Sequence, residues 1–266
     1  MYYVSKENNN GMRLCILADG MGGYKGGEIA SSLATSAAKL YIEEKFKYID
    51  PTVENIQDLI KKAMEYANEV ICEKAKTNEE LEQMGTTLEI CIMYGNKVYI
   101  GHIGDSRIYR IRKNIIRRIT TDHSYVETLV KDGTITREEA FYHPRKNMLM
   151  KALGCTPFVE PDVTVKGFIK DDTILICSDG LTNMVPIKDI QEIIEQEYDT
   201  LSDDEKLIRD VIKEYCFESK YEVIEAENGL EAINKAGEAD VIIMDIIIGS
   251  MEQALCTCLI RTVLTH

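Results

Sequence analysis

Apolar residues recur along the chain at two different periods, and the change of period marks the change of element. Residues 13–18 form a short, nearly continuous apolar run that predicts a strand. A glycine-rich turn follows over 19–27. Residues 28–47 place Ile29, Leu33, Ala37 and Leu40 at helical spacing. Residues 56–76 repeat that pattern more strongly, with Ile56, Leu59, Ile60, Ala63, Ala67 and Ile71 on one face. The runs then shorten to strand length at 87–93, 98–103, 107–111 and 115–120, with Gly95-Asn96 and Lys113-Asn114 as turns. Short helices are predicted at 125–131 and 137–141, a strand at 173–178 and a helix at 187–196. Two helices, a run of strands joined by tight turns, and more helix do not make the regular alternation of a parallel sheet. The pattern predicts an α/β protein: an antiparallel β-sandwich flanked by helices.

Composition narrows the function. The 266 residues are 45% hydrophobic and 29% charged, enough to bury a core. The net charge of −14 argues against a general nucleic-acid partner, because phosphate contact needs a positive surface. No apolar run approaches a membrane span, and the first ten residues lack a signal-peptide layout, so a cytoplasmic location without a membrane partner is expected. Eight cysteines without a CxxC pair, and only four histidines, argue against a zinc site; Cys256 and Cys258 read as free thiols. The charge is uneven: residues 201–266 carry 14 acids and 6 bases. That shift suggests a boundary near residue 200, dividing the chain into 1–201, 202–248 and a tail at 249–266.

The candidate chemistry lies at strand ends. Asp19-Gly20-Met21-Gly22-Gly23 follows a strand and precedes a helix. A dinucleotide-binding frame fails, because Lys25 stands where the third glycine belongs, and a phosphate-binding loop fails, because Glu28 follows Gly27. Two readings stay open: a turn with a helix-capping Asp19, or a carboxylate beside a close-approaching Gly20 backbone, suited to a hard divalent cation. Asp105 and Asp179 share the strand-end placement. One such aspartate is an ordinary turn residue. Three, two of them in Asp-Gly pairs, are harder to read as turns alone. Of the remaining features, Arg107, Arg110, Arg112, Lys113, Arg117 and Arg118 read as a solvated basic hairpin, and Met148-Leu149-Met150 as core.

Taken in order, Leu17-Ala18-Asp19-Gly20-Met21-Gly22-Gly23, Gly26-Gly27-Glu28-Ile29-Ala30-Ser31, Met84-Gly85-Thr86-Thr87, Gly101-His102-Ile103-Gly104-Asp105-Ser106-Arg107-Ile108-Tyr109, Thr121-Asp122-His123-Ser124, His143-Pro144 and Cys177-Ser178-Asp179-Gly180-Leu181-Thr182 resemble the metal-dependent protein phosphatases (PPM, or protein phosphatase 2C). The branch resembled is that of the bacterial serine/threonine phosphatases, and the spacing fits from about residue 2 to about 201. The resemblance implies two antiparallel sheets between helices and hydrolysis of phosphoserine and phosphothreonine with two to three Mn²⁺ or Mg²⁺ ions. Asp19 would bridge two ions and the Gly20 carbonyl would bind one. Asp179 would hold the second, and Asp105 with Asp179 a third. A metal-bound water would attack phosphorus, with no side-chain nucleophile. His143 falls in what resembles the family's substrate flap; as a residue it reads equally as a surface histidine before a proline turn. The partners implied are phosphorylated proteins, namely a serine/threonine kinase and its substrates.

Two family features lack counterparts. The opening Arg and acidic run have none beside Met1-Tyr2-Tyr3-Val4-Ser5, and the closing Asp-Asn pair has none after Asp179. Instead, Asp203-Asp204 opens a predicted helix, 221–226 reads as a strand, 228–232 begins another helix, and 239–245 reads as a buried, parallel-type strand. Residues 203–245 resemble the first half of a response-regulator receiver, with Asp203 and Asp204 as the Mg²⁺-binding acids and Asp245 as the phosphoacceptor. The second half's Thr and Lys are missing, so phosphoacceptor activity is not expected. A narrower reading adds 241–247 to the phosphatase sheet and brings Asp240 or Asp245 near the metals. The function expected is a metal-dependent serine/threonine phosphatase. The alternative is a catalytically inactive module that keeps the scaffold and binds a phosphoprotein or kinase.

Overall fold

The structure is a computed structural model, and it describes residues 1–5, 11–113, 115–169, 172–183, 186–188, 190–191, 221–226, 241–243, 245–248 and 257–262. In chain order these form Tyr2–Val4 (β1), Met12–Leu17 (β2), Gly20–Met21 (β3), Gly23–Lys45 (α1), Val53–Ala75 (α2), Gly85–Thr86 (β4), Leu88–Tyr94 (β5), Lys97–Ile103 (β6), Arg107–Arg112 (β7) and Ile115–Arg118 (β8). Then come Tyr125–Lys131 (α3), Arg137–Tyr142 (α4), Asp162–Gly167 (β9), Thr173–Cys177 (β10) and the single turn Asp179–Thr182 (α5). Tyr221–Ala226 (β11), Val241–Ile243 (β12), Asp245–Ile248 (β13) and Thr257–Thr262 (β14) follow. The chain divides into two compact units, Met1–Ser106 with Thr120–Phe168, and Arg107–Ile119 with Ile169–His266.

The first unit is a five-stranded antiparallel sheet in the order β1-β2-β5-β6-β9, with α1 and α2 packed on it. Leu14, Ile16, Ile90 and Ile92 of the sheet share one buried cluster with Ile56, Ile60, Met64 and Ile71 of α2. Burying each such side chain contributes roughly 1.5–3 kcal/mol. The predicted face of α2 is the observed one. The predicted face of α1 is met only in part: Ala37 is buried and Ile29 and Leu33 pack half-buried against the core, but Leu40 is 64% exposed and the stripe centres on Ala30, Ala34, Ala38 and Ile42. Small side chains let α1 lie close to α2, and a hydrophobic count that favours leucine over alanine misplaces the stripe. Helix α1 also starts at Gly23, so the glycine-rich stretch forms its first turn. Strand β9 escapes the apolar pattern, because Asp162, Thr164 and Lys166 interrupt its apolar positions. Tyr94 pairs with Lys97 across the predicted Gly95-Asn96 turn. Met148 and Met150 are exposed, against the expectation of core; their backbone does the holding, through Tyr125 N to Met148 O and Met150 N to His123 O.

In the second unit a four-stranded sheet runs β13-β10-β7-β8, with every residue of β10 buried. Within the basic hairpin, Arg112 is not merely solvated: it forks onto the fully buried Asp172, Nε to Oδ1 and Nη2 to Oδ2, both at 2.5 Å. Strands β11, β14 and β12 make a separate antiparallel sheet. The strand predicted at 221–226 is observed, but the parallel-type strand at 239–245 is corrected. Its described residues fall in β12 and β13, which belong to different sheets and, among the described residues, pair antiparallel. A continuous apolar run signals burial on both faces and says nothing about strand direction. Asp203, Asp204, Asp240, Cys256, the boundary near residue 200, the helices expected from Asp203 and at 228–232, and most of that at 187–196 lie outside the described residues; within the last, Ile187, Lys188, Ile190 and Gln191 are helical.

Candidate metal centre

Asp19 leaves the buried strand β2 and is fixed through its backbone. Its N–H donates to Thr87 Oγ1 (3.0 Å), and its carbonyl accepts from Thr87 N (2.8 Å) and Thr86 Oγ1 (2.8 Å). The next two residues pair with Gly85 and Thr86 as the ribbon β3–β4. Gly20 is required by packing: a Cβ there would stand 1.9 Å from the Gly27 carbonyl oxygen in the first turns of α1. Asp19 is half-buried and Gly20 is exposed.

Asp105, also half-buried, sits at the corner between β6 and β7. Gly104 before it has φ +116°, and a Cβ there would lie 2.5 Å from Thr87 Cγ2. Ser106 after it shares a hydrogen bond with Thr87 Oγ1 (2.9 Å). Thr87 therefore ties the Asp19 turn and the Asp105 turn to one hydroxyl. The sequence motif contained Thr87, but spacing alone gave it no role.

Behind Gly104 lies a histidine pair that sequence reasoning also missed. His102 is buried, with Nδ1 2.7 Å from Glu89 Oε1 and Nε2 2.8 Å from the Thr121 carbonyl oxygen. A carbonyl only accepts, so Nε2 carries a proton. Burial opposes charge on this ring, but the Glu89 carboxylate and the Thr121 carbonyl outweigh it and raise the pKa. His123 stacks on His102, with centroids 4.7 Å apart and planes at 24°. Burial first, and the charge of His102 second, push its pKa down to about 4, so it is neutral. Its Nδ1 accepts from Gly104 N (3.2 Å), and its Nε2 faces Asp162 Oδ2 at 3.3 Å.

Asp179, in the second unit, is held differently. It opens α5 directly after β10, and its Oδ2 accepts from Asn183 Nδ2 at 2.9 Å. Asp245 stands opposite Cys177 in the β10–β13 register, two residues before Asp179 in the paired strand. His143 ends α4, where its Nδ1 accepts from Arg145 N (3.1 Å) and its ring lies 6.1 Å from that of Tyr125.

Among the described residues, no group of three or more His, Cys, Asp or Glu side chains forms a ready metal cage. The donors present are carboxylates and a backbone carbonyl. Mg²⁺-like cations are held that way, by one or two carboxylates with waters and phosphate oxygens completing the shell. The hard-oxygen donor set and the crowded, side-chain-free Gly20 fit such a cation. Among the described residues, no helix is long and apolar enough to cross a membrane.

Comparison with known proteins points the same way. The family profile described as Protein phosphatase 2C matches residues 3–215. A serine/threonine phosphatase, stp, of Listeria monocytogenes is 40% identical over 191 residues, covering 72% of this chain and 75% of the relative. The protein phosphatase PhpP of Streptococcus pneumoniae is 36% identical over 203 residues, covering 76% and 80%. Among solved structures, the Mycobacterium tuberculosis serine/threonine phosphatase PstP/Ppp aligns with a TM-score of 0.66 at 32% identity, covering 81% of this chain and 90% of the other. A PstP catalytic domain solved in complex with two manganese ions aligns with a TM-score of 0.66 at 26% identity, covering 98% and 97%.

Proposed function

The chain belongs to the protein phosphatase 2C family, and from that premise we propose that it is a metal-dependent phosphatase acting on phosphoserine and phosphothreonine in proteins. The observation that carries the reading is the match over residues 3–215 combined with acids held at strand ends. Asp19, the Gly20 carbonyl, Asp105 and Asp179 are the groups that would hold Mn²⁺ or Mg²⁺. When bound, the cations acidify a water and offset charge on the phosphoryl oxygens. The protein's own task is placement: Thr86 and Thr87 fix the Asp19 backbone, and Asn183 orients Asp179. His143, between α4 and Pro144, shapes the approach of the substrate. A serine/threonine kinase and its substrates are the natural partners, and the cytoplasm the natural location.

Residues 1–201 form the phosphatase domain in this reading, and 202–248 and 249–266 are additions to it. Asp245, opposite Cys177 in the β10–β13 register, is the residue of the added segment that this reading would assign to the site. An inactive binding module is disfavoured by relatives that bear the names of enzymes.

The test is hydrolysis of p-nitrophenyl phosphate with Mn²⁺. Asp19→Ala and Asp179→Ala should each lower kcat by roughly a hundredfold or more, the scale on which charge-stabilising groups act. Full activity in both variants overturns the assignment of these residues. A folded parent chain that shows no hydrolysis overturns the enzyme reading and favours the binding module.

A further inference from the structure

Gly104 is gripped twice by one residue. Its N–H donates to the His123 ring at Nδ1 (3.2 Å), and its carbonyl accepts from the His123 backbone N–H (2.7 Å). The peptide so held leads straight into Asp105 and adopts a left-handed conformation, φ +116°. Thr87 fills the space on its Cα, so the turn has little room to settle elsewhere. We propose that His123, backed by the buried Glu89–His102 pair, is a positioning residue that fixes the direction in which Asp105 leaves the sheet. The inference rests on the reading of Asp105 as a metal ligand.

The chemistry of the stack explains why histidine occupies both places. To accept from Gly104, His123 needs a free lone pair on Nδ1, so its proton belongs on Nε2, which faces Asp162. His102 lies against its face at 4.7 Å and is anchored at both ends, by Glu89 on β5 and by the Thr121 carbonyl two residues before His123. The Thr121 contact fixes the backbone from which His123 reaches back to Gly104. The charged groups facing His123 are His102, Asp162 and Lys151. An oriented histidine behind a metal-binding carboxylate does the work that outer-shell hydrogen bonds do in metal sites generally, where loss of one costs 10–100-fold in affinity.

The experiment measures Mn²⁺ binding by calorimetry on the full chain without substrate, with thermal melting alongside. His123→Phe keeps a ring on His102 but removes the acceptor. It should weaken the most weakly bound Mn²⁺ by roughly 10–100-fold. His123→Asn, whose amide oxygen can occupy the Nδ1 position, should restore most of that loss. Equal weakening by Phe and Asn, or unchanged affinity in a folded Phe variant, overturns the proposal. Glu89→Gln is the second arm and remains decisive if His123→Phe gives no cooperative melt. It replaces the carboxylate that anchors His102 with a weaker, neutral partner, so the ring that supports His123 is held less firmly and Mn²⁺ binding should weaken several-fold, by less than in the Phe variant. Unchanged binding in that variant counts against the proposal. Asp105→Asn reports on the ligand reading alone: if it leaves Mn²⁺ binding intact, that reading fails and the positioning role falls with it, whatever the histidine variants do.

Discussion

Asp19 and Asp179 look alike in the sequence, each ending a buried strand and each followed by glycine, yet the chain holds them by opposite means. Asp19 is fixed through its backbone. Three hydrogen bonds tie its N–H and carbonyl to Thr86 and Thr87, and the chain stays extended for two residues before α1 begins. Asp179 turns at once into α5, whose N-cap Ser178 makes no side-chain capping hydrogen bond, and its carboxylate is steadied by Asn183 one turn later. The lesson is that an Asp-Gly pair at a strand end does not specify a geometry. The residues after the glycine decide whether the carboxylate is placed by main chain or by a neighbouring side chain. A ligand placed by main chain should be lost only when the fold is disturbed. One placed by a side chain should loosen while the fold stands.

Gly20→Ala presses hardest on that contrast. A Cβ at this position would meet Gly27 O at 1.9 Å, Gly27 C at 2.4 Å and Gly27 Cα at 2.8 Å, all backbone atoms that no rotamer change can clear. The turn or α1 must shift, and the expected cost is about 3 kcal/mol or more, the upper range for overpacking. Urea unfolding measures it. A loss below about 0.5 kcal/mol, the range of an ordinary surface substitution, means the turn is slack and the main-chain account of Asp19 is wrong. Thr87→Val comes next. Valine keeps the shape of a fully enclosed side chain but removes the hydroxyl that serves both Asp19 N and Ser106 Oγ. Leaving buried polar groups without that partner should cost about 1–3 kcal/mol and weaken Mn²⁺ binding together with stability. Mn²⁺ calorimetry beside the melt decides. Stability lost without any change in metal affinity would separate Thr87 from the site.

The parts of this arrangement legible in the sequence are those set by local pattern. The α2 stripe, the hairpin at Gly95-Asn96 and the strand-end aspartates follow from periodicity and turn chemistry over a few residues. The hidden parts depend on contacts between distant segments. Thr87 reaches Asp19 across 68 residues and Ser106 across 19, and no spacing rule marks it. His102 and His123 were visible only as members of motifs, because their stacking depends on how β6 and the segment after β8 come together. The stripe of α1 was legible only in part, because its buried face is largely alanine, which carries little hydrophobic signal but permits close helix approach, and Leu40 falls outside it. The apolar stretch at 239–245 announced strand, yet the placing of β12 and β13 in two antiparallel sheets is decided by partners far away in the chain.

Asn183→Ala gives the smallest expected effect and the cleanest test of the other half of the contrast. Asn183 is half-buried, follows α5 and contributes one hydrogen bond to Asp179 Oδ2. Its loss leaves the Asp179 backbone in place, because Asn183 N still has the Asp179 carbonyl within reach at 2.8 Å. Stability should therefore change by no more than about 0.5 kcal/mol. The carboxylate, free to sample other rotamers, should bind Mn²⁺ roughly tenfold more weakly, the low end for loss of an orienting partner. The comparison with Thr87→Val is then diagnostic: there affinity and stability fall together, and here affinity falls alone. If Asn183→Ala instead lowers stability as much as Thr87→Val and leaves Mn²⁺ binding untouched, the side chain belongs to the fold of α5, and Asp179 is placed by its main chain just as Asp19 is.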